Sequence, residues 1–163
     1  MDAWIHGERL DGYIAGYVDG EGSFSVSVQR NPTCRVGFQL VPEFHVSQNG
    51  DRAQVLELIR DRLGCGYIKA NSKQDRALVL VVRQRRALLE RVIPFFERVP
   101  LLSSKRADFE KFARVVREMA QGHHRTRAGF GDLLEVALSM NGGGRYRQVG
   151  WSELLTAENP PSV

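Results

Sequence analysis

The sequence predicts an α+β fold: a curved antiparallel sheet carrying helices on one of its faces. Runs of strict apolar–polar alternation adjoin through short turns, first over residues 23–46 and again over 66–83, and strands placed like this pair as hairpins. Stretches with apolar residues at three- and four-residue spacing stand before, between and after them, which makes the helices a separate covering layer. The length of 163 residues, with 42% hydrophobic and 26% charged, suits one compact domain.

Each element has its own warrant. Leu10–Gly22, LDGYIAGYVDGEG, reads as the first helix. Ser23–Gln29 alternates with Phe24, Val26 and Val28 facing a core. Asn31-Pro32-Thr33 is a turn, and Arg35–Val46 is the second strand, with Val36, Phe38, Leu40, Phe44 and Val46 inward. Pro42 lacks an N–H and marks an edge, a bulge or a bend in that strand. Asp51 caps a helix over Arg52–Leu63, which Gly64 ends. Gly66–Asn71 and Arg76–Arg83 form the second hairpin, and Gln84–Phe96 is a helix perturbed by Pro94. Ser103 or Ser104 caps a long helix to about Gln121, and Thr126 caps a last one to Met140, closed by Asn141 and Gly142–Gly144. The order is αββαββα with further helices after it. The expected division is a single domain over residues 1–145 and a tail over 146–163.

Composition removes several function classes. The longest apolar run is the six residues Ala77–Val82, too short to span a bilayer. The start, MDAWIHGERLDG, has neither the basic nor the apolar region of a secretion signal. No membrane partner is expected, and the place of action is inside the cell. Cys34 and Cys65 are the only cysteines, which excludes a disulfide framework and a four-cysteine zinc site. His123-His124 lies in a polar connection and, without a third ligand, reads as loop. The net charge is +4, and 19 of the 23 basic residues are Arg. A GC-rich genome produces this bias, and so does selection for the planar fork that matches phosphate and the guanine edge. The charge permits a nucleic-acid partner.

The first helix is unusual. Gly12, Gly16 and Gly20 recur at four-residue spacing and lie on one stripe, although each interior glycine costs a helix about 1 kcal/mol relative to alanine. Such a stripe suits a second helix in near contact. Asp19 and Glu21 stand where this helix ends, a position whose dipole favours cations over acids. A bound divalent cation, taking carboxylates and unpaired helix-end carbonyls, accounts for them; an ordinary exposed acidic pair is the alternative.

The stretch Ile14-Ala15-Gly16-Tyr17-Val18-Asp19-Gly20-Glu21-Gly22 resembles the nine-residue signature of the LAGLIDADG homing endonucleases. It is followed, in the family's order and spacing, by Gly-Ser-Phe, a long hairpin, Gly-Cys-Gly-Tyr-Ile and Ser104-Lys105-Arg106-Ala107-Asp108-Phe109, so the resemblance covers roughly residues 8–140. It implies the family's fold and a site-specific double-strand DNA endonuclease acting at a long, nearly palindromic target. Because one copy of the motif is present, it implies a homodimer joined through Gly12, Ala15, Gly16 and Asp19. It places the metal on Glu21 and the carbonyl of Gly20, with Mg²⁺ as cofactor and Mn²⁺ or Ca²⁺ able to occupy the same position. Asp19 takes a structural role at the helix end. Glu21, Gln48 and Lys105 are the implied catalytic residues, with Arg106 or Arg98 as alternatives to Lys105, and Arg52 is placed near phosphates.

By the same resemblance the sheet's open face enters the major groove. Ser25, Ser27, Gln29, Gln39 and His45 from the first hairpin and Lys69, Asn71 and Arg76 from the second are the candidate DNA contacts. Double-stranded DNA, a second copy of the chain and no small-molecule substrate are the expected partners. A maturase-like RNA splicing factor and a non-cleaving DNA-binding regulator on the same fold are the rival readings.

Overall fold

In the computed structural model, which describes residues 6–72, 74 and 76–143, helix α1 (Gly7–Glu21) runs directly into strand β1 (Gly22–Arg30). Gly22 makes that joint possible. Its N–H bonds the Val18 carbonyl, and a Cβ there would stand 2.6 Å from the Val18 side chain and 2.8 Å from that carbonyl. Strand β2 (Phe38–Asn49) pairs antiparallel with β1 from Arg30↔Phe38 to Gly22↔Val46. Strands β3 (Tyr67–Ala70) and β4 (Ala77–Val82) form the second hairpin, and β4 docks against β2 to give the order β1-β2-β4-β3. The tail over 146–163 and its boundary lie outside the described residues.

Strand β2 begins and ends later than Arg35–Val46. Residues 31–37 tie themselves into a loop through Asn31 N–H to Gly37 O, Cys34 N–H to Asn31 O and Gly37 N–H to Cys34 O, with Gly37 at φ +73°. Arg35 and Val36 are thereby held out of the strand. At the other end, pairing with β4 extends β2 to Asn49↔Ala77. Pro42 sits opposite Val26 with no slip in register. Strand β4 runs out opposite Phe44, so at Pro42 one flank of β2 is open and an absent N–H breaks no ladder there.

Asp51 does not cap the next helix. Gly50–Arg52 form a 3₁₀ turn, because the Gly50 N–H bonds Arg76 O and keeps the chain on the sheet; helix α2 (Gln54–Leu63) starts after Ala53 with no side-chain cap. Gly64, left-handed at φ +69°, ends it as expected. After β4, α3 (Arg85–Ala87) passes through a π turn at Leu88–Val92 into α4 (Ile93–Arg98). The Ile93 N–H reaches back to Leu88 O. Opening the ladder there gives the Pro94 ring room beside the carbonyl four residues earlier. Helix α5 (Lys105–Ala120) and helix α6 (Arg127–Leu138) follow, the latter capped by Thr126 Oγ1, which accepts from Gly129 N–H at 3.1 Å.

The helices cover one face of the sheet. Phe24 lies at the centre, its ring 5.1–5.4 Å from those of Phe44, Phe96, Phe109 and Phe112. Ile14 and Val18 of α1, Leu80 of β4 and Leu133 of α6 are fully buried with it. Each such side chain contributes about 1.5–3 kcal/mol through removal from water.

Among the described residues one charge lies inside. Asp11 of α1 is 4% exposed, and its carboxylate takes Arg62 of α2 at 2.7 and 2.9 Å and Arg98 of α4 at 3.1 Å. Three helices are thus tied through one residue. Asp11→Ala is expected to cost about 2 kcal/mol, because both guanidiniums lose a buried acceptor while retaining access to water. A domain of this size then melts about 4–8 °C lower. Calorimetry reads this directly; an unchanged melting temperature refutes it.

Candidate active site and nucleic-acid interface

The end of α1 collects four chemically distinct groups. The Asp19 carboxylate accepts from the Leu102 amide at 3.0 Å, the Ser103 amide at 2.9 Å and the Ser103 hydroxyl at 2.5 Å. Burial pushes its pKa up, but the Ser103 hydroxyl and these two amides outweigh burial and hold the carboxyl below its usual range. All of this acid's work is done inside the chain. Lys105, at the first turn of α5, donates its ammonium to Val18 O at 3.0 Å. Burial pulls its pKa down, against the upward pull of Asp19, Glu21 and Asp108 around it. The ammonium is the counter-ion of a helix end that is negative by dipole and by side chain.

Gln48 reaches the same place from the sheet. Its alternation puts it on the helix-covered side with Phe44 and Val46. Its Nε2 donates to Tyr17 Oη at 2.5 Å, and its Oε1 accepts from the Asn49 amide at 2.7 Å. Because Asn49 N–H requires an acceptor, the amide orientation is determined: Gln48 presents a second N–H, not an oxygen, to whatever lies beyond. Tyr17 has its own pKa raised, first by burial, with Glu21 adding to the rise and Arg52 opposing it. Tyr17, Gln48, Glu21 and Arg52 therefore share one neighbourhood.

Glu21 differs from Asp19. It is exposed, and among the described residues its carboxylate takes no hydrogen bond or ion pair. A hard cation fits there: an available carboxylate at a helix end, in negative potential, is oxygen-donor chemistry of the kind Mg²⁺ takes. Among the described residues no group of three or more His, Cys, Asp or Glu is placed to hold an ion. One chain thus supplies a carboxylate to such a cation and leaves the remaining ligands to water, phosphate oxygens or a second copy.

The glycine stripe is bare. A Cβ built on Gly12, Gly16 or Gly20 meets nothing within 4 Å, and Tyr13 beside them is 46% exposed. Nothing among the described residues requires these glycines. Ala15 does not belong to the stripe: it is 5% exposed, covered by its own chain on the flank of α1 that carries Ile14 and Val18. Asp19 likewise turns toward Leu102 and Ser103. The two basic alternatives to Lys105 are engaged elsewhere, Arg98 with Asp11 and Arg106 with Glu110 at 3.1 Å.

On the uncovered sheet face, Ser25, Ser27, Gln29, Gln39 and His45 share one alternation. Lys69, by its pairing with Val79, falls on the same side, as does Asn71 in continuation of β3. Gln39 donates to Gln29 at 3.3 Å and accepts from Asn31 at 2.8 Å, which orients both glutamines. Arg76 is not brought to this face. It precedes β4 and falls on the alternation of Leu78 and Gln48. The same alternation brings Glu43 here, where it bonds Arg83 and lies 3.4 Å from His45; sequence reasoning passed over Tyr67, 47% exposed, and Val79 and Val81, which form an apolar floor. The period-two register that placed the glutamines would have found Tyr67 and the two valines as well. It gives no sign of the Arg83–Glu43 pair.

Comparison with known proteins gives a consistent picture. The profile of the LAGLIDADG endonuclease family matches residues 14–116. The solved structure of the homing endonuclease I-TnaI is similar at a TM-score of 0.77 and 41% identity, over 82% of this chain and 88% of that one. The I-LtrWI LAGLIDADG homing endonuclease, solved bound to target DNA, is similar at a TM-score of 0.81 and 31% identity, over 94% of this chain and 52% of that one. The homing endonuclease I-ApeII of Aeropyrum pernix is 33% identical over 116 residues, which are 71% of this chain and 68% of I-ApeII.

Proposed function

The chain belongs to the LAGLIDADG endonuclease family, and on that premise we propose that it is a homodimeric, Mg²⁺-dependent homing endonuclease cutting both strands of a long, nearly palindromic DNA site. It works inside the cell, with the genome that carries its target. The observation that carries the reading is the contrast between the two acids ending α1: Asp19 is saturated by its own chain, whereas Glu21 is exposed, takes no hydrogen bond or ion pair among the described residues, and acts electrostatically on Lys105. An acid kept bare beside a helix end has no structural use. It has a catalytic one.

Two chains pairing along their Gly12–Gly16–Gly20 stripes bring the two Glu21 carboxylates together at the base of the helices. When bound there, Mg²⁺ supplies Lewis-acid polarisation of the phosphate and a more acidic water. The residues of the chain do the rest. Glu21, with the Gly20 carbonyl, holds the cation. The Lys105 ammonium lies where negative charge develops on the scissile phosphate and stabilises it. The Gln48 amide, locked by Tyr17 and Asn49, donates its remaining N–H to the attacking water or to a phosphate oxygen, and Arg52 holds a neighbouring phosphate.

The sheets of the two chains supply recognition, one per half-site, so that a dimer covers about two turns of duplex, each of roughly 10 bp. Gln29 and Gln39, oriented by each other, present donors and acceptors suited to base edges. Incubation with a library of intron-insertion junctions and Mg²⁺, followed by mapping of the ends, tests the activity. Staggered cuts at one nearly palindromic site are expected, and no cutting in any junction sinks the reading. On the cleaved site, Gln29→Ala or Gln39→Ala is expected to relax base preference at particular positions by about 1–3 kcal/mol, with little change in the salt dependence of binding. Unaltered preference by binding-site selection means that the first hairpin does not read sequence.

A further inference from the structure

A cavity of about 440 Å³ opens beside the loop that joins β1 to β2, at the opposite end of the hairpin from Glu21. Phe38 and Met119 contribute an apolar floor, and Arg35, Arg85, Arg125 and His124 ring it. No carboxylate among the described residues lines it. Among the described residues none of these three guanidiniums takes an ion pair, whereas Arg86, Arg114 and Arg117 on the nearby helices are paired with Glu90, Glu118 and Glu97. His124 stands among the lining guanidiniums, its ring in a backbone hydrogen bond with Met119. Burial, then the Arg85 and Arg125 charges, push this imidazole below its usual range against the Met119 hydrogen bond, so the two guanidiniums act on the ring itself. Among the described residues, three guanidiniums without an ion pair around one concavity lack an anion.

We propose that this cavity is a binding site for a nucleotide phosphate, with the phosphate among the guanidiniums and His124 and the sugar over the apolar floor. Planar guanidiniums bind phosphate oxygens through paired N–H donors, and the volume falls in the range of small-ligand sites, roughly 300–1,000 Å³. The phosphate has two possible sources, a free nucleotide or the backbone of bound DNA. The second is favoured, because Gln39 belongs both to the lining and to the uncovered sheet face. From Gly22 to Gln29 the strand covers roughly 24 Å at about 3.4 Å per residue. The cavity thus stands at the far end of the hairpin from Glu21. For that source the inference rests on the endonuclease reading.

The test compares the wild-type chain with the double variant Arg85→Gln/Arg125→Gln. Both side chains are exposed and in no ion pair, so the variant is expected to melt with the wild type. Binding of a generic duplex is measured against salt, and dAMP and inorganic phosphate are titrated separately into each protein. A slope of log affinity against log salt reduced by about 1 or more, with no saturable dAMP binding, supports the site and assigns the backbone as source. Saturable dAMP binding weakened at least about tenfold in the variant, with the slope unchanged, supports the site and assigns a free nucleotide. An unchanged slope together with no difference toward dAMP or phosphate overturns the proposal. Cleavage of the junction library by the wild type is scored in parallel. If nothing is cut, the nuclease reading fails by itself, and the slope and titrations still judge the cavity.

Discussion

Glu21→Gln is expected to lower cleavage by roughly a thousandfold or more, about 4 kcal/mol of transition-state stabilisation, while DNA binding persists. The substitution keeps the side chain's length and removes only its charge. Because the carboxylate takes no hydrogen bond or ion pair among the described residues, neither melting temperature nor assembly should move. Binding tightens slightly in metal-free buffer, since a carboxylate beside phosphate is repulsive when no cation lies between them. Asp19→Asn behaves oppositely. It leaves the Leu102 and Ser103 donors facing a weaker acceptor, so the loop before α5 loosens and stability falls. The sign with pH is definite: a carboxyl whose folded-state pKa is lowered stabilises above its unfolded value and ceases to do so as pH falls through the folded one. The gap in stability between wild type and Asp19→Asn is therefore full near neutrality and closes on acidification. Cleavage assays, gel-shift titrations and melting curves on the two variants separate the roles. If Glu21→Gln cuts normally and Asp19→Asn folds but is inactive, the two acids are exchanged.

Gly16→Leu is the second large effect. A Cβ at Gly16 meets nothing within 4 Å among the described residues, and replacing a helical glycine by leucine gains up to about 1 kcal/mol of helix propensity. The isolated chain should therefore become slightly more stable. Two stripes packed on each other have no room for the new side chain, so the dimer should weaken by several kcal/mol, as for overpacked interiors with no space to relax. Sedimentation velocity is expected to find monomer at concentrations where the wild type is dimeric, with cleavage lost in step. A dimer of unchanged affinity refutes the stripe as interface.

The hairpins and the first helix were legible because their signals are local. Alternation at Ser23–Gln29 and the spacing of Gly12, Gly16 and Gly20 need no distant partner to be read. What sequence misplaced depends on partners elsewhere. The start of β2 moved because Gly37 closes a loop through backbone bonds, and its end moved because β4 supplies a neighbour for Asn49. Asp51 failed as a cap because Gly50 is held by Arg76, across the second hairpin. The Asp11 clamp joins residues 51 and 87 positions apart, and the Tyr17 bond to Gln48 spans 31. No periodicity encodes either. At the site, spacing found both acids at the end of α1, whereas their different surroundings come from α5 and the chain before it.

Helix α1 is fastened near both ends, at Asp11 to α2 and α4 and at Asp19 to the residues before α5. Its bare face is therefore a stiff edge before any partner arrives. Association then demands little ordering of backbone, and the entropy cost of joining two copies falls chiefly on their translation and rotation. Such surfaces meet nearly as rigid bodies. A side chain that intrudes on the stripe cannot be accommodated by the helix yielding, and misalignment at Gly16 is carried along an unbending axis to Glu21, one and a half turns away. In the proposed dimer, the distance between the two carboxylates is thus set by how closely two backbones can touch.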